Sequence, residues 1–207
     1  IRAIRVSLDD FFIDLDKYNN TFTDCQRGMM AKDSEKIITH ISNLRKVKRV
    51  QDVVSIFYNI QKQIPAKLML VGEGPEREKI EIQCEKLGIS NKVIFFGKSN
   101  EIEKILCFSD LFILPSETES FGLAALEAMA SGVPVISSNT GGIPEVNIQG
   151  VSGFLSVVGN VEEMTKNALY ILSDETRLKT FKANARKQAL TFDIHTIVPQ
   201  YEAIYQD

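Results

Sequence analysis

From residue 36 onward, short apolar runs alternate with amphipathic segments, and this alternation limits the chain to few folds. The runs that we interpret as buried strands are residues 36–43, 66–72, 92–97, 110–116, 133–138 and 152–157. Helical apolar spacing separates and follows them, at residues 50–64, 75–88, 100–109, 121–132, 160–173 and 175–190. Continuous apolar strands separated by helices are typical of a parallel sheet covered on both faces. The pattern predicts an α/β fold with a doubly wound, Rossmann-like parallel sheet.

The two ends of the chain do not follow this alternation. Residues 1–35 are more polar and show little periodicity, so we interpret them as a linker or connecting arm. Residues 36–190 form the predicted Rossmann-like domain, and residues 191–207 form a C-terminal segment with helical spacing near 194–206. A chain of 207 residues is long enough to bury a substantial core.

Composition argues against several classes of partner. The net charge is −3, from 24 basic and 27 acidic residues without an extended basic stripe, so we expect no nucleic acid. A run of about 18 apolar residues is absent, so we expect no membrane span. Cys25, Cys84 and Cys107 lack metal-binding spacing, which favours ordinary thiols in a reducing cytoplasm. We expect no metal site.

The stretch SETESFGLAALE, residues 116–127, holds the most informative polar residues. It follows a predicted strand and opens a helix, where ligands of doubly wound sheets bind and where backbone N–H groups attract phosphate. Glu119 and Glu127 stand at its two ends. This layout suits a nucleotide-sugar, which has hydroxyls at both ends and phosphates between them. The alternative is an ordinary helix-start acid at Glu119 and a solvated face at Glu127.

Other predicted strand ends carry weaker signals. Four basic residues follow the first predicted strand: Arg45, Lys46, Lys48 and Arg49. Their charge would stabilise a pyrophosphate leaving group, or they form a solvated helix start. The glycine loops at 72–77 and 96–101 either hold a base edge or are simple turns. The loop GGIPEV is interpreted as a turn into a short helix, and His40 as a buried core histidine.

Several stretches, taken in order, resemble the family-four retaining glycosyltransferases, which have the GT-B fold. They are VGEGPER, VIFFGKSNEIEKIL, SDLFILPSETESFGLAALEAMASGVPVISSNTGGIPEV and GVSGFL. Glu119 and Glu127 match the two glutamates of the family's E-x7-E element. Within the family, HISNLRKVKRVQDVV and NTGGIPEV resemble the subfamily that transfers N-acetylglucosamine to L-malate in the first step of bacillithiol biosynthesis.

This resemblance implies roles for particular residues. Its catalytic residues would be Arg45, Lys48 and Glu119, the two cations stabilising the diphosphate and the carboxylate contacting the donor sugar. Its donor-binding residues would be Gly72, Gly97, Lys98, Phe121, Gly122, Leu123 and Glu127. Glu127 would bind the ribose, the residues before it would offer backbone N–H groups, and Lys98 would lie near the uracil. The family's usual arginine falls on Asn43, so Arg45 would supply that charge from a shifted position.

The resemblance also implies the ligands and the missing part. The donor would be UDP-GlcNAc without a cofactor, and the acceptor L-malate would be held by an N-terminal domain of the same full-length chain. This chain would be the C-terminal, donor-binding half, with the last helix packing back on that domain. A homo-oligomer stays open. Two alternatives remain: a family-four enzyme acting on a polysaccharide or lipid acceptor, and a nucleotide-binding module without catalysis.

Overall fold

The computed structural model describes residues 13–19, 27–195 and 197–199. Its strands are β1 Lys36–Ile41, β2 Ala66–Val71, β3 Val93–Gly97, β4 Leu111–Leu114, β5 Val135–Ser138 and β6 Gly153–Ser156. They form a 6-stranded sheet in the order β3-β2-β1-β4-β5-β6, and every neighbouring pair is parallel. The predicted doubly wound α/β fold is confirmed.

Apart from the first, which lies in the predicted arm, the described α-helices occupy predicted segments with shorter bounds. They are α1 Asp16–Asn19, α2 Val50–Ile60, α3 Arg77–Lys86, α4 Ile102–Leu106, α5 Leu123–Ala130, α6 Ile143–Val146, α7 Val161–Leu172 and α8 Glu175–Ala189. The predicted helix at 121–132 begins two residues late because Gly122 has a φ of 93°, which is incompatible with a right-handed helix. Among the described helices, none has both the length and the apolar content of a membrane span.

Alternate residues of the strands point to opposite faces of the sheet, and each face has its own core. Leu111 and Ile113 of β4 pack in one core with Phe57 of α2, whereas Phe112 packs in the other with Met129 of α5. Fully burying a side chain of this size stabilises the fold by about 1.5–3 kcal/mol. The helices on both faces therefore hold the sheet rigid beneath the loops at its carboxyl edge.

Part of the segment interpreted as a linker packs onto the domain. Ile13, Leu15 and Tyr18 are buried in the same core as α5. The Ile13 N–H donates to the carbonyl of Phe192 over 3.2 Å, which joins the two ends of the described chain. Three apolar residues are too few to show a periodicity, so the sequence pattern does not reveal this packing. The boundaries at residues 35 and 190 stay predictions.

Some predictions concern residues that are not described. The C-terminal helix predicted near 194–206 is helical at 194–195 and 197–199, and its remainder lies outside the described residues. Cys25 and residues 1–12 of the predicted arm lie outside them as well.

A buried carboxylate joins three segments at the amino edge of the sheet. The Asp110 carboxylate accepts from Arg27 Nη2 at 2.7 Å, from Lys182 Nζ at 2.9 Å and from the Ile37 N–H at 3.0 Å. Burial raises the pKa of Asp110, but Lys182, the Ile37 N–H and Arg27 outweigh it and hold that pKa below its usual value. This network lies at the sheet edge opposite the candidate site.

Candidate active site

The strand order brings the two most informative loops together. Because β1 and β4 are neighbours although a crossover separates them in sequence, the loops after them meet where the winding of the sheet reverses. The Glu117 N–H donates to the carbonyl of Val47 over 2.8 Å and ties these loops directly. Ligands of doubly wound sheets bind at this point.

Lys48 and Glu119 form an ion pair at the meeting point of the two loops. The Ser116 hydroxyl donates a second hydrogen bond to the same carboxylate oxygen over 3.0 Å. The side chains of Lys48 and Glu119 are 22% and 13% exposed, so the pair is largely shielded from water and faces the carboxyl edge. The structure thus unites two of the three predicted catalytic residues, and their contacts with a ligand stay a prediction.

The other basic residues of the cluster are placed differently. Arg49 donates to Asp52 Oδ2 at 2.6 Å and to Glu117 Oε1 at 3.1 Å. Arg45 and Lys46 are exposed and, together with Arg49 and Glu117, line a small pocket of about 120 Å³. Arg45 therefore lies at a pocket edge beside the loops that carry Lys48 and Glu119, and its contact with a diphosphate stays a prediction.

The start of α5 presents backbone N–H groups at the same edge. Among the described residues, no side chain caps this helix, because its N-cap is Gly122. The Phe121 ring packs edge to face on Phe192 with centroids 5.7 Å apart, which holds the residue before the cap. An uncapped N-terminus carries a partial positive charge and attracts anions. Phe121, Gly122 and Leu123 lie at this helix start, and their contacts with a donor stay a prediction.

A pair of glycines after β5 supports the Glu119 loop from below. A Cβ on Gly141 would lie 1.6 Å from the carbonyl oxygen of Glu119, and one on Gly142 would lie 2.6 Å from that of Ser120. The Thr140 hydroxyl also donates to the carbonyl of Glu117 over 3.0 Å. Sequence reasoning identified the turn and the short helix α6 but missed this support, which two consecutive glycines at a strand end could have indicated.

Glu127 is partly buried, not on a solvated face. Burial, together with the smaller effect of the Glu103 charge, raises the pKa of Glu127 to about 7, although Lys17 opposes the shift. Tyr18 lies near the same carboxylate, and burial together with the charge of Glu127 raises the pKa of its phenol. The solvated-face alternative for Glu127 is therefore wrong, because α1 and α4 cover this part of α5.

The glycines predicted to contact the nucleotide lie together at the ends of β2 and β3. The Gly72 N–H donates to the carbonyl of Gly97 over 2.8 Å. Gly72 has a φ of 117°, and a Cβ there would lie 1.9 Å from the Ser42 carbonyl oxygen, so close packing of the two loops requires glycine. Lys98 is exposed, with its Nζ 3.9 Å from a Glu73 carboxylate oxygen.

Three potential metal ligands also lie close together elsewhere. The ligand atoms of Asp14, Asp16 and His195 are all within 4.8 Å of one another. All three side chains are at least partly exposed, and such groups are common without a metal. Sequence reasoning missed this proximity because His195 is remote from the aspartates in the chain. The expected absence of a metal from the reaction stays a prediction.

The fold and the site define a Rossmann-like domain suited to an anionic ligand. Its doubly wound sheet carries an uncapped helix start, a lysine and two shielded carboxylates near the point where the winding reverses. The chain belongs to the family "Glycosyl transferases group 1", whose sequence profile matches residues 26–188. The family resemblance recognised in the sequence is confirmed.

Two curated relatives illustrate the range of similarity. The chain is 44% identical over 191 residues to N-acetyl-alpha-D-glucosaminyl L-malate synthase of Bacillus anthracis, covering 92% of this chain and 50% of that protein. It is 28% identical to 2-deoxystreptamine N-acetyl-D-glucosaminyltransferase of Niallia circulans, covering 73% of this chain and 41% of that protein. The chain therefore spans about half the length of these relatives.

Solved structures share the fold over nearly the whole chain. Anabaena HepE in complex with UDP matches with a TM-score of 0.85 at 25% identity, covering 94% of this chain and 56% of that chain. Sucrose-phosphate synthase from Thermosynechococcus elongatus matches with a TM-score of 0.85 at 24% identity, covering 95% of this chain and 51% of that chain. The second likeness shows the fold alone.

Proposed function

We propose that this chain is the donor-binding part of a retaining glycosyltransferase that transfers N-acetylglucosamine from UDP-GlcNAc to the hydroxyl of L-malate. The observation that carries the proposal is the Lys48–Glu119 pair beside the uncapped start of α5. The 44% identity to a protein named N-acetyl-alpha-D-glucosaminyl L-malate synthase supports the choice of sugar and acceptor. The product would be the first intermediate of bacillithiol biosynthesis.

The site suits the two ends of a nucleotide-sugar. The start of α5 and Lys48 supply positive charge for the diphosphate. Glu119 accepts hydrogen bonds from hydroxyls of the sugar, and Glu127 accepts them from the ribose. The solved complex of HepE with UDP supports a uridine nucleotide, which we place with its base near Gly97 and Lys98 and its ribose above Gly72.

The Lys48–Glu119 pair has a consequence for ligand binding. Without a ligand, each charge neutralises the other in a site that is largely shielded from water. When the donor binds, the diphosphate becomes a second partner of Lys48 and a sugar hydroxyl becomes a donor to Glu119. The charges are thus held near their working positions, which lowers the cost of organising them at the moment of reaction.

The reaction proceeds by attack on the face from which UDP leaves. The bond between the anomeric carbon and the phosphate oxygen breaks while the malate hydroxyl forms the new glycosidic bond. The departing phosphate takes the hydroxyl proton. Lys48, Arg45 and the start of α5 stabilise the charge that develops on the diphosphate, so these groups supply what a metal ion would otherwise provide. An N-terminal domain closing over the site would exclude water.

Binding of the donor is tested on this chain by calorimetry with UDP, UDP-GlcNAc, UDP-glucose and GDP-mannose. We expect uridine nucleotides to bind and GDP-mannose to bind at least about 10-fold more weakly. Because Lys48 and Glu127 make charge-assisted contacts, Lys48→Ala and Glu127→Ala should each weaken UDP-GlcNAc binding by about 10- to 100-fold. Glu85→Ala, an exposed change on α3, is the matched control. Equal affinity of wild type and both site variants would contradict the proposed donor site.

The acceptor is tested with the protein expressed from its complete reading frame. We expect UDP release from UDP-GlcNAc to require L-malate, and mass spectrometry to detect N-acetylglucosaminyl malate. D-malate and succinate are the controls, because succinate lacks the hydroxyl. Transfer to a lipid or polysaccharide without transfer to malate would reject this acceptor and keep the donor assignment. Donor binding without transfer to any acceptor would favour a nucleotide-binding module.

A further inference from the structure

A chain of hydrogen bonds, each with a defined donor and acceptor, lies beneath residues 43–49, the Lys48 loop that follows β1. His40 is fully buried, with Nδ1 2.8 Å from the Ile113 carbonyl oxygen and Nε2 2.8 Å from the Ser42 hydroxyl. A carbonyl oxygen only accepts, so Nδ1 carries the ring proton. Burial lowers the pKa of His40 to about 4, so the ring is neutral and Nε2 is an acceptor. The Ser42 hydroxyl therefore donates to His40, which confirms the predicted buried histidine.

The same serine oxygen also accepts a hydrogen bond from the backbone of the following loop. The Leu44 N–H donates to Ser42 Oγ over 3.2 Å, which completes a chain from Leu44 through Ser42 and His40 to Ile113. Every donor and acceptor in this chain has one possible direction. A neutral hydrogen-bond chain that is shielded from water in this way favours one geometry of the groups at its end, and here His40 is fully buried and Ser42 partly buried.

Leu44 is held in a conformation that needs such support. It has a φ of 39°, in the left-handed region that a residue with a Cβ rarely adopts, and its side chain is fully buried. Its carbonyl accepts the Glu76 N–H over 3.1 Å. The N–H and the carbonyl of Leu44 are thus both bonded, and together they set the direction in which the chain leaves β1.

Lys48 lies one short turn after Leu44. A 3₁₀ turn at Lys46–Lys48 follows at once, with the Lys48 N–H donating to the Arg45 carbonyl over 2.9 Å. Because this turn is short, the backbone direction at Leu44 affects the position of Lys48. The Lys48 side chain then reaches Glu119 on the neighbouring loop.

From these contacts we propose that His40 and Ser42 are positioning residues, which orient the Lys48 loop so that the lysine binds the diphosphate of the donor. The inference rests on the proposed function of Lys48. Neither side chain touches the ligand: both act through Leu44 and the turn that follows it. Packing alone would be satisfied by an apolar residue at position 40, because Ile38, two residues earlier on the same face of the strand, is apolar and fully buried.

The geometric part of the inference is tested by hydrogen exchange of Ser42→Ala, which removes the central hydroxyl and leaves the core intact. We expect faster exchange in residues 43–49 and 116–119, with unchanged exchange in α8. Ser42→Thr, which keeps a hydroxyl, should restore protection. Ser173→Ala is the matched control, because it removes one hydroxyl bond to a helix carbonyl far from the site. Unchanged exchange in residues 43–49 would overturn the inference whether or not the chain binds UDP.

The functional part is tested by a double-mutant cycle on UDP affinity. Ser42→Ala should weaken UDP binding by about 3- to 10-fold in the wild-type background, as expected for one net hydrogen bond. In the Lys48→Ala background the same change should alter UDP affinity by less than about 2-fold, because the lysine through which Ser42 acts is absent. Equal effects in both backgrounds would mean that Ser42 does not act through Lys48, and would overturn the proposal.

The histidine is tested with a rescue pair, because removing it risks the fold. His40→Leu removes both hydrogen bonds, whereas His40→Gln offers an N–H for Ile113 and an oxygen for Ser42. We expect the glutamine variant to bind UDP more tightly than the leucine variant at equal folded fraction, and equal affinities would count against a positioning role. If wild type binds no UDP while Ser42→Ala still loosens residues 43–49, the donor site fails and the geometric inference stands.

Discussion

Glu119 and Glu127 come from one stretch of sequence, yet their surroundings differ in charge. Glu119 has a lysine and a serine hydroxyl on one carboxylate oxygen. Glu127 is largely covered and lies near another carboxylate, Glu103; burial chiefly, and the Glu103 charge in addition, raise the pKa of Glu127 to about 7. Near pH 7 Glu127 is divided between its ionised and its neutral form. The ribose end of the site should therefore respond to pH in this range.

Affinity for UDP-GlcNAc should rise with pH as Glu127 ionises. A carboxylate accepts from two ribose hydroxyls and a neutral carboxyl does so less well, so binding tightens as pH rises through about 7. Glu103→Gln removes the neighbouring charge and should move the midpoint to lower pH, though not to 4.5, since burial remains. Calorimetry from pH 5.5 to 8.5 measures this midpoint.

Raising the pH should strengthen donor binding but lower the free energy of unfolding of the ligand-free chain. A carboxyl whose folded pKa exceeds its unfolded value binds its proton more tightly when folded, so its contribution to stability falls as pH rises from 4.5 to about 7. Glu127→Gln should therefore gain stability relative to wild type over that range. Glu101→Gln, an exposed change next to α4, is the control for both measurements. A midpoint that does not move in Glu103→Gln would contradict this account.

At the scale of elements, the site is an assembly of loops at the carboxyl edge. The loops after β1, β4 and β5 contact one another through their backbones, as the bonds Glu117 to Val47 and Thr140 to Glu117 show. Gly141 permits the close approach of the loops after β4 and β5, and Gly72 permits the loop after β2 to approach the end of β1. Because these loops are bonded to one another, a substitution that displaces one loop should also alter the affinity for the ligand.

Gly141→Ala should impair donor binding without contact with the donor. The new Cβ would lie 1.6 Å from the Glu119 carbonyl oxygen, so the backbone that carries Glu119 must shift. We expect UDP-GlcNAc affinity to fall at least about 10-fold and stability to fall by roughly 2–4 kcal/mol, by urea unfolding.

Gly150→Ala is the control, because it introduces backbone strain without a steric contact. Gly150 also has a positive φ, of 72°, but a Cβ there meets nothing within 4 Å. It should cost only about 1 kcal/mol through backbone strain and leave affinity unchanged. Similar losses of affinity in both alanine variants would show that Gly141 does not support the site.

At the scale of the whole molecule, the two edges of the sheet have separate tasks. The carboxyl edge carries the candidate site, and the amino edge carries the Asp110 network that joins β4, α8 and the segment before β1. Because a rigid sheet lies between them, a change in the Asp110 network should alter stability and spare ligand binding.

Asp110→Asn tests this division. It leaves Arg27 and Lys182 without their shared carboxylate, and since both cations are partly exposed we expect a loss of roughly 2–3 kcal/mol. The pKa of Asp110 in the folded chain is below its usual value. The stabilisation that the ionised carboxylate provides is therefore present above the usual pKa and is lost as the pH falls from there through the folded pKa. Urea unfolding between pH 3 and pH 7 measures the loss.

Asp33→Asn, an exposed change in the same segment, should be nearly neutral and is the matched control. UDP-GlcNAc affinity of folded Asp110→Asn should stay within about 2-fold of wild type. A parallel loss of affinity would show that the two edges are coupled.

The strands, the helices and the chemistry of the loops could be predicted from the sequence. Apolar runs and helical spacing are local patterns, and each of the six strands and six helical segments that they predict is present. The family motif likewise indicated Lys48, Glu119 and Glu127, because the chemistry of a phosphate and hydroxyl site demands such residues.

Only the tertiary structure decided which of these residues meet and what supports them. Lys48 and Glu119 are brought together by the pairing of β1 with β4, which no local pattern specifies. The raised pKa of Glu127 depends on α1 and α4, and the role of Gly141 depends on a carbonyl from another loop. Burial and close contact are properties of segments distant in sequence, so they follow from the packing of the whole chain.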